Sequence, residues 1–251
     1  ETFWQYRQYH QGDTPNSIDW RQSARSDRVF VREREWEAAQ TVWLWCDRSA
    51  SMNYASHRDL TRKIDRALLL TLATAALLVR GGEYIALPGG EVKPATGRAA
   101  LLRLTTVLEA PLPDGVTEAG LPPTTDLPRH ADLFWASDFL NPLSEIEARA
   151  RTLAAAGVRG TLVQILDPAE ADLPFSGHVR FEGLEGEDEQ SVGKADSLRL
   201  PYAHRLQARQ SALAELAGRL GWTFLIHHTD KPAQSALLSI HQALADRPAV
   251  H

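Results

Sequence analysis

Apolar positions along the chain fall into two patterns, short unbroken runs and longer stretches with helical spacing, and from residue 42 onward the two alternate. Val42–Cys46, Tyr84–Leu87, Leu133–Ala136, Arg159–Leu166 and Trp222–His228 are short, rich in β-branched and aromatic residues, and predict strands. Helical spacing predicts helices over about Arg58–Arg80, Ala99–Leu108, Leu143–Ala156, Tyr202–Leu220 and Ala233–Ala245. The first of these carries Leu68, Leu69, Leu72, Ala76 and Leu77 on one face, and Gly81-Gly82 stops it. A further strand is predicted at Val29–Val31, continuing by alternation through Arg34. Pro111–Pro128 reads as a loop, and Asp167–Gly193 as short strand signals around an acidic patch, Glu182 to Glu189. Strands alternating with helices imply an α/β fold, a mostly parallel central sheet with helices on both faces. An extended segment over residues 1–37 precedes it, so the predicted main domain covers residues 38–251.

Composition narrows this only a little. The 251 residues suffice for a sizeable core, and 43% hydrophobic with 24% charged residues is ordinary for a globular protein. A net charge of −5 argues against non-specific nucleic-acid binding, which wants a basic surface. The single cysteine, Cys46, excludes an internal disulfide and fits a reducing compartment, so a cytoplasmic location is expected. The longest apolar run, Ala67–Val79, is too short to span a bilayer, and no signal peptide is visible. The chain starts at Glu1 without methionine, which points to a natural N-terminus further upstream.

The chemistry concentrates where the first core strand ends. Val42-Trp43-Leu44-Trp45-Cys46 stops abruptly at Asp47, with Ser49 and Ser51 at alternate positions beyond it. In open α/β sheets ligands bind outside the carboxyl ends of the strands. One carboxylate and two hydroxyls delivered there form a hard, oxygen-only set that suits Mg²⁺, with Mn²⁺ or Ca²⁺ as substitutes, rather than zinc. Leu133-Phe134-Trp135-Ala136 repeats the design, ending in Ser137-Asp138. The pattern Asp47-x-Ser49-x-Ser51 resembles the metal-ion-dependent adhesion site of von Willebrand factor A-type domains. That resemblance implies a Rossmann-type domain in which Asp47, Ser49, Ser51 and Asp138 hold the metal, Asp138 through water. It also implies a direct threonine ligand from an intervening loop. Thr105, Thr106, Thr117, Thr124 and Thr125 all lie in that interval, and the sequence singles out none of them.

The N-terminal segment carries a second resemblance. It reads Arg7-Gln8-Tyr9-His10-Gln11-Gly12-Asp13, then Ile18-Asp19-Trp20-Arg21-Gln22-Ser23-Ala24-Arg25, then Val31-Arg32-Glu33. These blocks resemble the signature R-x-Y-x-x-G-D, I-D-W-x-x-S-A-R and V-R-E of the bacterial domain-of-unknown-function 58 family. Ile165-Leu166-Asp167-Pro168-Ala169-Glu170 with Leu173-Pro174-Phe175, and Thr229-Asp230, are similar to later stretches of the same family. The resemblance implies a von Willebrand A-like domain after the signature segment. It further implies an adaptor or assembly role beside a MoxR-type AAA+ ATPase, acting on an unknown client.

Other conspicuous residues have plain structural readings. Asp13, Asp19, Arg21 and Arg25 fit a network of turns and ion pairs, and Trp43 and Trp45, on one sheet face, fit the core. Trp20 and Trp36 could anchor the N-terminal segment. His227 and His228 face opposite sides of a strand, which suits one core and one surface histidine better than a chelating pair. The expected function is therefore a non-enzymatic, metal-dependent protein-interaction module with no catalytic residues and no organic cofactor. The alternatives are a metal-dependent, phosphatase-like hydrolase and a scaffold whose metal site has decayed. Against the hydrolase, Ser49 stands where an acid partner for an aspartyl nucleophile is needed, and no lysine neighbours either aspartate in sequence. No P-loop is present.

Overall fold

The computed structural model describes residues 4–9, 18–26, 28–34, 40–111, 120–123, 127–181, 190–192 and 195–245. Backbone contacts divide the chain into two units, Glu1–Ala38 and Ala39–His251. In the first, β1 (Trp4–Gln8) pairs antiparallel with β2 (Phe30–Arg34), with Trp4 opposite Arg34 and Gln8 opposite Phe30. A short helix, α1 (Trp20–Ser23), lies between them in sequence, and the Asp19 carboxylate caps it by accepting the Gln22 N–H at 2.9 Å. Asp19 is thus turn chemistry, as the plain reading had it, and Trp20 is exposed. Asp13 and Trp36 fall outside the described residues.

The apolar runs of the second unit become one five-stranded sheet. Its strands are β3 (Thr41–Cys46), β4 (Tyr84–Ala86), β5 (Asp132–Ser137), β6 (Arg159–Leu166) and β9 (Thr223–His228). Every neighbouring pair is parallel, in the spatial order β4-β3-β5-β6-β9. A separate antiparallel pair, β7 (Val179–Phe181) with β8 (Gln190–Val192), precedes β9 in the chain. Parallel strands need crossovers, and helices supply them: α2 (Lys63–Arg80), α3 (Gly97–Glu109), α4 (Leu143–Ala155), α6 (Arg199–Arg219) and α7 (Ala233–Ala245). A one-turn helix, α5 (Pro168–Asp172), follows β6.

Alternation along each strand sends successive side chains to opposite faces, and each face has its own core. Leu44, Phe134 and Val163 meet Leu70 of α2, Leu104 of α3 and Ile240 of α7. On the other face Trp43, Trp45, Trp135 and Leu162 meet Ile146 of α4 and Leu213 of α6. Helices therefore cover both faces, as strands apolar on both sides require. Trp45 and Trp135 pack edge to face with ring centres 5.9 Å apart, so the tryptophans of β3 are core residues. Gly160 lets this packing close, because a Cβ there would lie 2.2 Å from the Trp222 ring.

The strand order decides where a ligand can bind. After β3 the chain steps one way to β4, then returns past β3 to β5 and continues outward. The crevice at the carboxyl ends of β3 and β5 is therefore the topological switch point, where open α/β sheets bind ligands.

Two differences from the sequence reading bear on the site. The first long helix begins at Lys63 rather than near Arg58, because the preceding residues form a loop tied to β6. The Ser56 N–H donates to Asp167 at 2.9 Å, and the Lys63 N–H returns to the Tyr54 carbonyl. Asp167 does not merely close a strand. With Glu170 it forms a capping box that starts α5, and Pro168 occupies the first helical position.

Candidate metal centre

Two strand ends assemble the centre. In the parallel register Cys46 lies beside Ala136, so Asp47, just past β3, stands beside Ser137, the last residue of β5. The Ser137 hydroxyl donates to Asp47 Oδ2 at 2.6 Å, and the Ser49 N–H donates to Asp47 Oδ1 at 2.8 Å. Beyond Asp47 a single 3₁₀ turn, Ala50–Met52, curls the chain back so that the Ser49 and Ser51 hydroxyls stand 3.2 Å apart. The Ser51 hydroxyl donates to Asp138 Oδ2 at 2.7 Å. Asp138 Oδ1 accepts the Leu140 N–H at 3.1 Å, within a bend where Phe139 takes a left-handed φ of 56°. The fold thus brings together all four residues singled out in sequence, and all four are buried.

Electrostatics separates the two aspartates. The hydrogen bonds on Asp47 come from neutral donors, and burial together with the nearby Asp138 charge pushes its carboxyl up to about 6. Asp138 meets a cation. Lys63, the first residue of α2, has no solvent exposure and places Nζ 3.0 Å from Asp138 Oδ2 and 2.5 Å from Glu170 Oε1. Burial alone would lower the Lys63 ammonium's pKa, but Asp138 and Glu170 outweigh burial and hold it above its ordinary value. Burial also raises the Glu170 carboxyl, against the pull of Lys63. Tyr54 lies over the ammonium, its ring centre 5.8 Å from Nζ.

Ser137, Lys63 and Glu170 were not singled out in sequence, yet each left a trace. Ser137 directly precedes Asp138. Lys63 is in phase with Ala67, Leu70 and Thr74 on the buried stripe of α2, an odd place for a lysine. Glu170 completes the capping box Asp167-Pro168-Ala169-Glu170. Of the threonines, Thr105 and Thr106 lie within α3 and donate their hydroxyls to the Leu101 and Leu102 carbonyls. Thr117, Thr124 and Thr125 fall outside the described residues, as does the Glu182–Glu189 patch.

The donor set fits a hard divalent cation. Two hydroxyl oxygens and two carboxylates converge at the switch point, and the buried Asp47 charge has only neutral donors. Asp47, Ser49, Ser51 and Asp138 would hold such an ion. Among the described residues no three histidine, cysteine or carboxylate groups cluster to hold a metal, so the hydroxyls of Ser49 and Ser51 would have to complete the set. His227 is buried against Arg66, with Nε2 3.2 Å from the guanidinium. Burial and that neighbour push it down to about 4, so it serves as a neutral core histidine.

Comparison with known proteins agrees with the sequence blocks. Residues 5–212 match the family described as protein of unknown function DUF58. Uncharacterised proteins of Mycobacterium tuberculosis strain H37Rv and Mycobacterium bovis are each 24% identical over 243 residues, covering 90% of this chain and 74% of theirs. Among solved structures, the conserved hypothetical protein BatB from Bacteroides thetaiotaomicron shares 14% identity, with a TM-score of 0.48 over 82% of this chain and 98% of its own. An aerotolerance-related membrane protein from Bacteroides fragilis shares 15% identity, with a TM-score of 0.45 over 83% of this chain and 100% of its own. No helix among the described residues of this chain is long and apolar enough to cross a membrane.

Proposed function

The chain belongs to the DUF58 family, and from that premise and the geometry at the switch point we propose that it is a non-enzymatic protein-interaction module of von Willebrand A-like type. It grips a partner's carboxylate through a divalent cation, most suitably Mg²⁺, held by Asp47, Ser49, Ser51 and Asp138. The observation that carries this reading is the buried charge of Asp47, whose hydrogen-bond donors are all neutral and which lies beside the Ser49 and Ser51 hydroxyls at a ligand-binding edge. A divalent ion supplies the missing positive charge and keeps a coordination position open to a protein carboxylate. The partner suggested by the family resemblance is a MoxR-type AAA+ ATPase, with an unknown client as its cargo.

The test is thermal unfolding of the wild type and Asp47→Ala, titrated with Mg²⁺, Mn²⁺ and Ca²⁺ after chelation. An ion that binds only the folded state adds about 2.7 kcal/mol at a hundred times its dissociation constant. A rise confined to the wild type, together with Mg²⁺-dependent capture of the ATPase that Asp47→Ala loses, supports the reading. Capture that survives in Asp47→Ala, or in chelator, overturns the metal bridge.

One observation favours a second reading. The lysine absent near either aspartate in sequence arrives through folding, with Lys63 on Asp138. A strand-end aspartate with a lysine and serines nearby also suits phosphoryl chemistry. Mg²⁺-dependent release of phosphate from a generic aryl phosphate, lost in Asp47→Ala, would favour the hydrolase over the module.

A further inference from the structure

A lysine ammonium removed from water is expensive to hold, and proteins place one in the interior only where carboxylates surround it. Lys63 meets that condition at the edge of the candidate metal centre, bridging Asp138 on β5 and Glu170 on α5. One carboxylate oxygen, Asp138 Oδ2, therefore accepts from both Ser51 and Lys63. A hydroxyl keeps lone pairs free while it donates, so Ser51 can offer one to a cation and still donate to Asp138. The ammonium is then the group left competing for that carboxylate.

We infer that Lys63 is a tethered cation sharing Asp138 with the divalent ion, and that Glu170 sets the balance by drawing the ammonium toward the end of β6. Lys63 and Glu170 neutralise each other, which leaves Asp138 and Asp47 for a divalent charge. Without Glu170 the ammonium has Asp138 alone, and the divalent ion loses half of its carboxylate charge. Without Lys63 the ion faces three carboxylates and no repelling neighbour. Glu170 is well placed for this role because the Asp167 backbone N–H fixes its other oxygen, Oε2, at 2.9 Å. It therefore holds the lysine without swinging toward the centre. A centre tuned in this way binds its ion weakly and exchangeably. The divalent ion in this inference is that of the proposed function, whereas the placement of Lys63 stands without it.

The experiment is Mn²⁺ binding, by calorimetry and by the electron paramagnetic resonance of free Mn²⁺, on the chelator-stripped full chain and its Lys63→Met and Glu170→Gln variants. Lys63→Met is expected to bind at least tenfold more tightly than the wild type, and Glu170→Gln at least threefold more weakly. If the wild type is silent and Lys63→Met binds, the tethered cation stands and the metal-bridged module falls. If the wild type binds and neither variant shifts the affinity, the module stands and this inference is overturned. If Lys63→Met does not fold, Glu170→Gln decides, and an affinity equal to or tighter than wild type overturns the inference. Absence of binding in all three proteins overturns both.

Discussion

The carboxyl ends of β3 and β5 present the same group, an aspartate buried at the switch point, and neutralise it in opposite ways. At the end of β5, Asp138 receives a hydroxyl, a backbone N–H and the Lys63 ammonium. At the end of β3, Asp47 receives a hydroxyl and a backbone N–H, and its carboxyl is pushed up to about 6. Neutral dipoles soften a buried charge without cancelling it, whereas a cation in contact cancels it. One half of the centre therefore meets a built-in cation, which it shares with Glu170. The other half carries a charge that only neutral dipoles offset.

The largest effect comes from removing the built-in cation. Lys63→Met in chelator leaves Asp138 and Glu170 buried without it, a change of the kind that costs about 3–5 kcal/mol. Urea denaturation of the two proteins in chelator measures this directly. A loss below about 1 kcal/mol would mean that the ammonium does not set the difference between the strand ends.

The next effect has the opposite sign. The Asp47 pKa is raised from 3.8 to about 6, so its contribution to stability is present below about 3.8 and is lost as pH rises through 6. At neutral pH the ionised side chain therefore costs stability in the metal-free protein. Asp47→Asn removes that charge at nearly constant shape, and is expected to stabilise the metal-free protein by about 1–3 kcal/mol at pH 7. Saturating Mg²⁺ should reverse the ranking, since only the wild type gains from the ion. A variant less stable than wild type in chelator would show that the hydrogen bonds on Asp47 outweigh its buried charge.

Much of this contrast could be read from sequence, and the unread part has a physical cause. β6 and α7 lie where the apolar pattern puts them, because Gly157 and Asp167 bracket one and the helical spacing of Ala236, Leu237 and Ile240 marks the other. Asp47, Ser49, Ser51 and Asp138 were legible because each follows directly from the end of an apolar run. Lys63 and Glu170 were not, since their role depends on bringing α2 and α5 together across β5 and β6, contacts separated by 75 and 107 residues. The loop before α2 hid the start of that helix for the same reason. Its anchor, Asp167, lies 111 residues from Ser56. β1 escaped notice because Trp4–Gln8 acquires strand character by pairing with β2.

The smallest effect sharpens the comparison most. Ser137 stands between the two strand ends, donating to Asp47 Oδ2 at 2.6 Å and accepting the Phe139 N–H at 2.9 Å. Ser137→Ala removes both bonds, at a cost of roughly 1–2 kcal/mol. The two bonds differ in their dependence on pH. The donation to Asp47 favours the ionised carboxylate, so its loss weighs most well above pH 6 and fades as pH falls through about 6, where folded Asp47 takes up its proton. The contact with Phe139 supports a left-handed turn at φ 56° and has no such dependence. Stability of the wild type and Ser137→Ala, measured by urea denaturation in chelator from pH 4 to 8, separates the two contributions. A gap between the proteins that widens as pH rises locates the serine's effect on the Asp47 charge at β3. A gap constant across the range locates it on the turn that presents Asp138, and the asymmetry between the strand ends would then owe nothing to Ser137.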